Sequence, residues 1–83
     1  MRIIYFASLR EAIGCAEETY IPPPATVTVS ELIDHLRGRS DVYAAALDSS
    51  RMLRVAVNQT YAQPDHILNK DDEVAIFPPV TGG

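Results

Sequence analysis

The residues here that could take part in chemistry are gathered at one end of the chain, in Pro78-Pro79-Val80-Thr81-Gly82-Gly83. With glycine at about 7% of average usage, two consecutive glycines at the last two positions arise by chance in roughly one chain in two hundred. Residues without a Cβ can lie flat in a channel too narrow for any side chain, so a Gly-Gly end can enter another protein's active site. The α-carboxylate of Gly83, with a reference pKa of about 3.3 to 3.7, is ionised at neutral pH. A carboxylate anion is a poor electrophile, so an outside agent has to activate it. On these residues alone a second reading stands level with the first, that of a frayed terminus without a role.

Elsewhere the candidates are few. Cys15 has no sequence cue that sets a histidine beside it, and a packed or loop cysteine is the simpler reading than a nucleophile. His35 and His66 are the two histidines, and neither has Cys or His at i+3 or i+4, so zinc-type ligand spacing is absent and no metal is expected. The chain contains no G-x-S-x-G, P-loop, dinucleotide-binding glycine pattern or H-E-x-x-H. So small a chain is poorly sized to build a concave catalytic site of its own. It reads as something other enzymes act upon.

Composition supports that view. At 83 residues the chain makes one domain with one small core, burying somewhat above ~60% of its unfolded surface. A hydrophobic fraction of 47% and a charged fraction of 22% are those of an ordinary globular domain. A single cysteine rules out an internal disulfide framework and fits a reducing compartment. The apolar run over residues 3–9 is too short for a signal sequence and meets Arg10 and Glu11 at once. No stretch approaches the roughly 18 apolar residues of a membrane span, so a soluble, cytoplasmic protein is expected. A net charge of -4 without a Lys/Arg cluster argues against nucleic acid as a partner.

The elements that must position the tail follow from the pattern. Residues 1–8 read as a strand with apolar residues on both faces, Ile3, Tyr5 and Ala7 on one and Ile4 and Phe6 on the other. The surplus face is either a contact surface or the partly covered side of a central strand. A short helical turn over residues 9–13 and a short strand over 18–21 follow, the latter ended by Pro22-Pro23-Pro24. Thr28-Val29-Ser30-Glu31 has the form of a capping box, with Val27 and Leu32 placed as a hydrophobic staple. Val29, Leu32, Ile33 and Leu36 then give one apolar stripe, and the helix should end near Gly38.

A second, shorter helix is expected over residues 41–47, capped by Ser40 or Asp41, with a turn at Asp48-Ser49-Ser50. Leu53, Val55 and Val57 alternate as in a half-buried strand, Asn58-Gln59 is a turn, and Thr60-Tyr61-Ala62 returns. Residues 64–68 form a loop or single helical turn, and 69–72 a polar turn. In the last strand, over residues 73–77, Val74 and Ile76 point inward and Phe77 outward with Glu73 and Ala75. An outward aromatic just before the tail points to docking, because exposed aromatics are enriched at binding hot spots. Pro78-Pro79 ends the ladder and favours an extended tail, whose six residues reach at most ~20 Å. The chain thus divides into a body over 1–77 and a tail over 78–83.

The element order is that of an α+β, ubiquitin-like β-grasp fold: a mixed sheet packed on one main helix, with an extended C-terminal tail. Within it, Val57-Asn58-Gln59-Thr60, Asp65-His66, Asp72-Glu73-Val74-Ala75 and Phe77-Pro78-Pro79-Val80-Thr81-Gly82-Gly83 resemble the small subunit of molybdopterin synthase. Phe6-Ala7-Ser8-Leu9-Arg10-Glu11 with Gly14 is similar to the same family. The resemblance implies a sulfur carrier. An ATP-using, E1-like adenylyltransferase would activate the carboxylate of Gly83, a sulfur donor protein would convert it to a thiocarboxylate, and the large subunit of the synthase would receive the tail. Sulfur would pass there to cyclic pyranopterin monophosphate.

The resemblance also implies that the general acid, base and covalent lysine belong to the partner, that no cofactor is bound by the chain itself, and that the chain is not catalytic alone. It carries an apolar docking patch onto Phe6, Tyr61 and Phe77, and an inserted tail onto Val80, Thr81, Gly82 and Gly83, with Pro78 and Pro79 also expected among the partner-binding residues. Tyr61 stands where the family often has an aliphatic residue, and the turn at 69–72 lacks a glycine common there. Two alternatives share the Gly-Gly end: a sulfur carrier for thiamine, cysteine or tRNA thiolation, and a ubiquitin-like protein modifier.

Overall fold

The structure is a computed structural model and describes residues 1–24, 26, 28–48 and 52–78. Its local organisation begins where the sequence signal is strongest. The Glu31 amide donates to Thr28 Oγ1 (3.2 Å) and the Thr28 amide donates to Glu31 Oε1 (3.0 Å), which completes the capping box. From that cap α2 (Val29–Arg37) turns Val29, Leu32, Ile33 and Leu36 into the core, and it ends at Gly38. Val27, the expected staple partner of Leu32, lies outside the described residues, as does the Ser49-Ser50 part of the expected turn.

Around this helix the chain runs β1 (Arg2–Tyr5), α1 (Ser8–Ile13), β2 (Glu17–Thr19), α2, α3 (Asp41–Ala46), β3 (Arg54–Val57), β4 (Thr60–Ala62) and β5 (Glu73–Phe77). The five strands form one mixed sheet in the order β2-β1-β5-β3-β4. β1 and β5 pair in parallel at its centre, and the remaining pairs are antiparallel. Ile3, Tyr5, Val55, Val57, Val74 and Ile76 project to the helical side, where they join the α2 stripe, Leu9 and Leu47 in one buried cluster. Each fully buried aliphatic side chain there contributes about 1.5–3 kcal/mol. The core lies wholly between the sheet and the helices, so the other face of the sheet is left open.

Several local features set the ends of these elements. α1 closes on Gly14, whose φ of 91° is the left-handed conformation that favours glycine. α3 is capped by Ser40, whose Oγ accepts from the Tyr43 amide at 3.3 Å. Asn58 and Gln59 both have positive φ (50° and 69°), the pair of values that a two-residue hairpin turn of the primed type requires. The Asn58 side chain donates to Asp72 Oδ1 (2.9 Å) and accepts from the Glu73 amide (3.0 Å), so the β3–β4 turn is locked to the start of β5.

Two boundaries differ from those expected. β1 stops at Tyr5 because Ala7, with φ 51° and ψ -125°, bends the chain into α1. β2 lies at Glu17–Thr19 instead of 18–21, because the Tyr5 amide donates to Ala16 O and the Tyr20 amide to Met1 O, each at 2.8 Å, which fixes the register. Ile21 consequently leaves the ladder and stands 88% exposed before the three prolines.

A polar knot fastens the β2 edge to the helices. Glu18 accepts from the hydroxyls of Tyr5 (2.7 Å) and Tyr43 (2.9 Å) and from the guanidinium of Arg39 (2.6 Å). Arg39 also lies over the rings of Tyr20 and Tyr43, at 5.3 and 4.6 Å from their centroids. Burial by itself raises the Glu18 carboxyl, but these hydrogen bonds outweigh it and hold the group below its ordinary range. The same burial, together with the bond to Glu18, pushes the Tyr5 and Tyr43 hydroxyls upward, so they stay protonated donors.

Candidate functional site: the open sheet face and the foot of the tail

On the open face, alternation along β1, β3 and β5 places Ile4, Ala56 and Ala75 side by side, and the register sets Ala75 opposite both Ile4 and Ala56. Phe6 follows directly after β1, where its amide donates to Ile76 O (3.1 Å), so its ring emerges beside that of Phe77. The two rings stack with centroids 4.4 Å apart and an interplanar angle of 12°. Tyr61, on β4 opposite Ala56, tilts toward Phe77 at 6.1 Å and 58°. The three residues expected to form an apolar patch are therefore in contact, although 55 positions separate the first from the second (6 to 61) and 16 the second from the third (61 to 77). Between them the two alanines form the floor of a hollow of about 390 Å³.

The exposure of these groups suits a contact surface. Tyr61 is 68% and Phe6 40% exposed, while Phe77 is half-buried by its neighbours and Ala75 is covered. Sequence alternation gave Phe77 and Ala75 as outward. It left open whether Ile4 and Phe6 or Ile3 and Tyr5 form the surplus face of β1, and it did not bring out Ala56 and Arg54 as part of the same surface. The signal that could have found them was the second alternating set of β3, where Arg54 and Ala56 fall opposite Val55 and Val57.

β5 ends at Phe77, and Pro78 follows half-buried and outside the ladder. Proline cannot donate a ladder hydrogen bond, which accounts for the strand ending where it does. The remaining tail residues, Pro79, Val80, Thr81, Gly82 and Gly83, lie outside the described residues. The described part of the candidate site is thus an aromatic and apolar face whose most central aromatic, Phe77, is the last residue of β5.

The other candidates fall away from this surface. Cys15 follows α1 half-buried against the core, and burial foremost, with the nearby Glu18 carboxylate, pushes its thiol up, away from the reactive thiolate. His35 and His66 are both exposed, and among the described residues no three side chains are grouped to hold a metal ion. Among the same residues, no helix is long and apolar enough to cross a membrane.

The family model for ThiS matches residues 3–83, nearly the whole chain. The chain belongs to the ThiS family. Among relatives of this ThiS-family chain, the molybdopterin synthase sulfur carrier subunit of Escherichia coli is 44% identical, with 100% of this chain and 99% of the relative aligned. The protein of the same name from Haemophilus influenzae is 34% identical, again over 100% of this chain and 99% of the relative. Of solved structures, SAMP1 from Haloferax volcanii superposes with a TM-score of 0.76 at 28% identity, covering 100% of this chain and 98% of that one. A putative molybdopterin converting factor, subunit 1, from Pyrococcus furiosus gives 0.75 at 30% identity, with 95% of each chain covered. The α+β, ubiquitin-like β-grasp fold expected from the sequence is therefore the fold of the ThiS-family chain.

Proposed function

We propose that this ThiS-family chain is the sulfur-carrier small subunit of molybdopterin synthase, and that the carbon of the Gly83 carboxylate is where its chemistry takes place. The observation that carries the reading is full-length similarity, at 44% identity, to a protein named for that role. The open face supports it, because it ends in Phe77 at the foot of the proposed tail.

The chemistry follows from the weakness of a carboxylate as an electrophile. One carboxylate oxygen of Gly83 attacks the α-phosphate of ATP on an E1-like activating enzyme, pyrophosphate leaves, and an acyl-adenylate remains. Sulfur supplied at the sulfide level by a donor protein displaces AMP and leaves a thiocarboxylate. The loaded tail enters the large subunit, where the sulfur attacks cyclic pyranopterin monophosphate to form a thioester; water then cleaves the acyl C–S bond, which leaves the sulfur on the substrate and returns the Gly83 carboxylate, with proton transfers supplied by that subunit. In this scheme the body contributes binding and the tail contributes reach.

The test is the intact mass of the chain produced together with its activating enzyme and sulfur donor. The expected change is replacement of one oxygen by sulfur at Gly83, followed by rescue of a strain lacking its own small subunit. An unmodified carboxylate under those conditions would sink the proposal. A second reading, that of a ubiquitin-like modifier, draws on the fold neighbour SAMP1 from Haloferax volcanii, a small archaeal modifier protein. It predicts amide conjugates between Gly83 and lysines of other proteins, which digestion and mass spectrometry of the same cells would reveal.

A further inference from the structure

The open face carries a charge as well as a hollow. Arg54 is the register partner of Phe77 and projects on the same side of the sheet, its guanidinium carbon 5.9 Å from the centroid of the Tyr61 ring. Arg2, Arg37 and Arg39 each have a carboxylate within ion-pair distance. Arg54 has none among the described residues and is exposed. Glu73, the carboxylate on the rim of the hollow, lies at the opposite end of β5 from Phe77 and is 3.4 Å from Arg2, which also pairs with Glu17 at 2.8 Å. In a chain of net charge -4, Arg54 thus sets a positive charge beside Phe77, at the end of β5 away from Glu73.

Shape adds to charge. The floor is two alanine methyl groups in register, and the walls are Ile4, Phe6, Tyr61 and Phe77, so the space between them is one that an apolar projection would fill. A cation held against an aromatic ring is partly fixed in direction, which lowers the entropy lost when it meets an anion.

We propose that the large synthase subunit seats a bulky apolar side chain on the Ala56 and Ala75 floor and sets a neighbouring carboxylate against Arg54, so that Arg54 sets how fast the two proteins meet and Ala75 how long they stay together. The inference rests on the docking role proposed above for this face, and it adds to it the chemistry of the complementary surface. Arg54 acts as a rim charge that guides encounter, and the hollow acts in retention. Rim charges govern association rate and its salt dependence, while packing governs dissociation. The two residues therefore leave separate kinetic signatures.

The experiment measures association and dissociation of the full chain with its cognate large synthase subunit at about 50 and 200 mM salt. Arg54→Glu is expected to slow association roughly tenfold and to flatten its salt dependence, with dissociation near that of the wild type. Arg54→Lys keeps most of the association rate. Ala75→Val, which adds two methyl groups on the floor, is expected to speed dissociation roughly tenfold and leave association unchanged. Circular dichroism and a thermal melt establish that each variant is folded, and if Ala75→Val does not fold, the exposed Arg54→Glu decides alone. Wild-type association by Arg54→Glu at both salt concentrations overturns this inference and leaves the carrier function standing. Absence of binding by the wild-type chain overturns the docking role and this inference together.

Discussion

Phe6 and Phe77 stack at 4.4 Å on the open face of the sheet, although one follows the first strand and the other ends the last. Parallel pairing of β1 with β5 makes this possible, because it brings the C-terminal ends of both strands to the same edge. The stack contributes little to the core, which lies on the opposite face. Phe77→Ala is therefore expected to weaken docking to the large subunit by roughly tenfold or more, as for an aromatic at the centre of an interface. Its thermal stability should fall by about 0.5–1.5 kcal/mol for each ring contact plus the apolar area of a half-buried ring, and stay below the about 3–5 kcal/mol of a core Phe→Ala change. Titration calorimetry against a melt separates the two; a large stability loss with unchanged docking contradicts the assignment.

How much of this was legible beforehand depends on the range of the interactions. The capping box of α2 spans four residues and is legible in the sequence, as are the Asn58-Gln59 turn and the outward direction of Phe77. Each is fixed by neighbours a few positions away. The start of β2 was misplaced because its register depends on hydrogen bonds to Met1 and Tyr5. The Glu18 knot was not foreseen, since its partners stand 13, 21 and 25 positions away and no local periodicity encodes them. Nor did the sequence decide between the two apolar faces of β1. Strand order settles that: Ile4 faces Ala75 on the uncovered side, while Ile3 and Tyr5 face the helices.

Separating the tail from the body leads to a second prediction. A chain lacking Gly83 is expected to fold and melt as the wild type does and to bind the large subunit within a few-fold of it, yet to lose sulfur transfer completely. The reason is that no described core residue lies beyond Ile76, whereas the reacting carbon on the proposed function is the last one. Binding, melting and single-turnover sulfur transfer on one preparation test this. A fall in melting temperature of several degrees contradicts the division between tail and body.

The α2 cap offers a test confined to stability. Thr28→Ala removes the oxygen that accepts from the Glu31 amide, and loss of such a cap costs about 1 kcal/mol. For a domain of this size that corresponds to roughly 4–8 °C in melting temperature. Thr28→Ser, which keeps the hydroxyl, is expected to recover most of the loss. Docking and sulfur transfer should be unchanged at temperatures where both variants are folded, because the cap lies on the helical side. Equal melting of Thr28→Ala and wild type contradicts the importance assigned to this cap.

The Glu18 knot makes stability depend on acid in a defined direction. Its carboxyl lies below its ordinary value of 4.5 in the folded chain, and unfolding frees it from Arg39, Tyr5 and Tyr43 to return to that value. A carboxyl whose folded pKa is depressed contributes stability that is fully present above the unfolded value and is lost as the pH falls through the folded one. The contribution should therefore be complete near neutrality and decline from pH 4.5 downward. Glu18→Gln lacks the titrating group, so its deficit relative to wild type is expected to be largest at about pH 7 and to shrink toward about pH 3. Urea unfolding of both proteins across that range measures the gap directly. A deficit of constant size would mean that the knot acts through shape and hydrogen bonding alone, without the charge of Glu18.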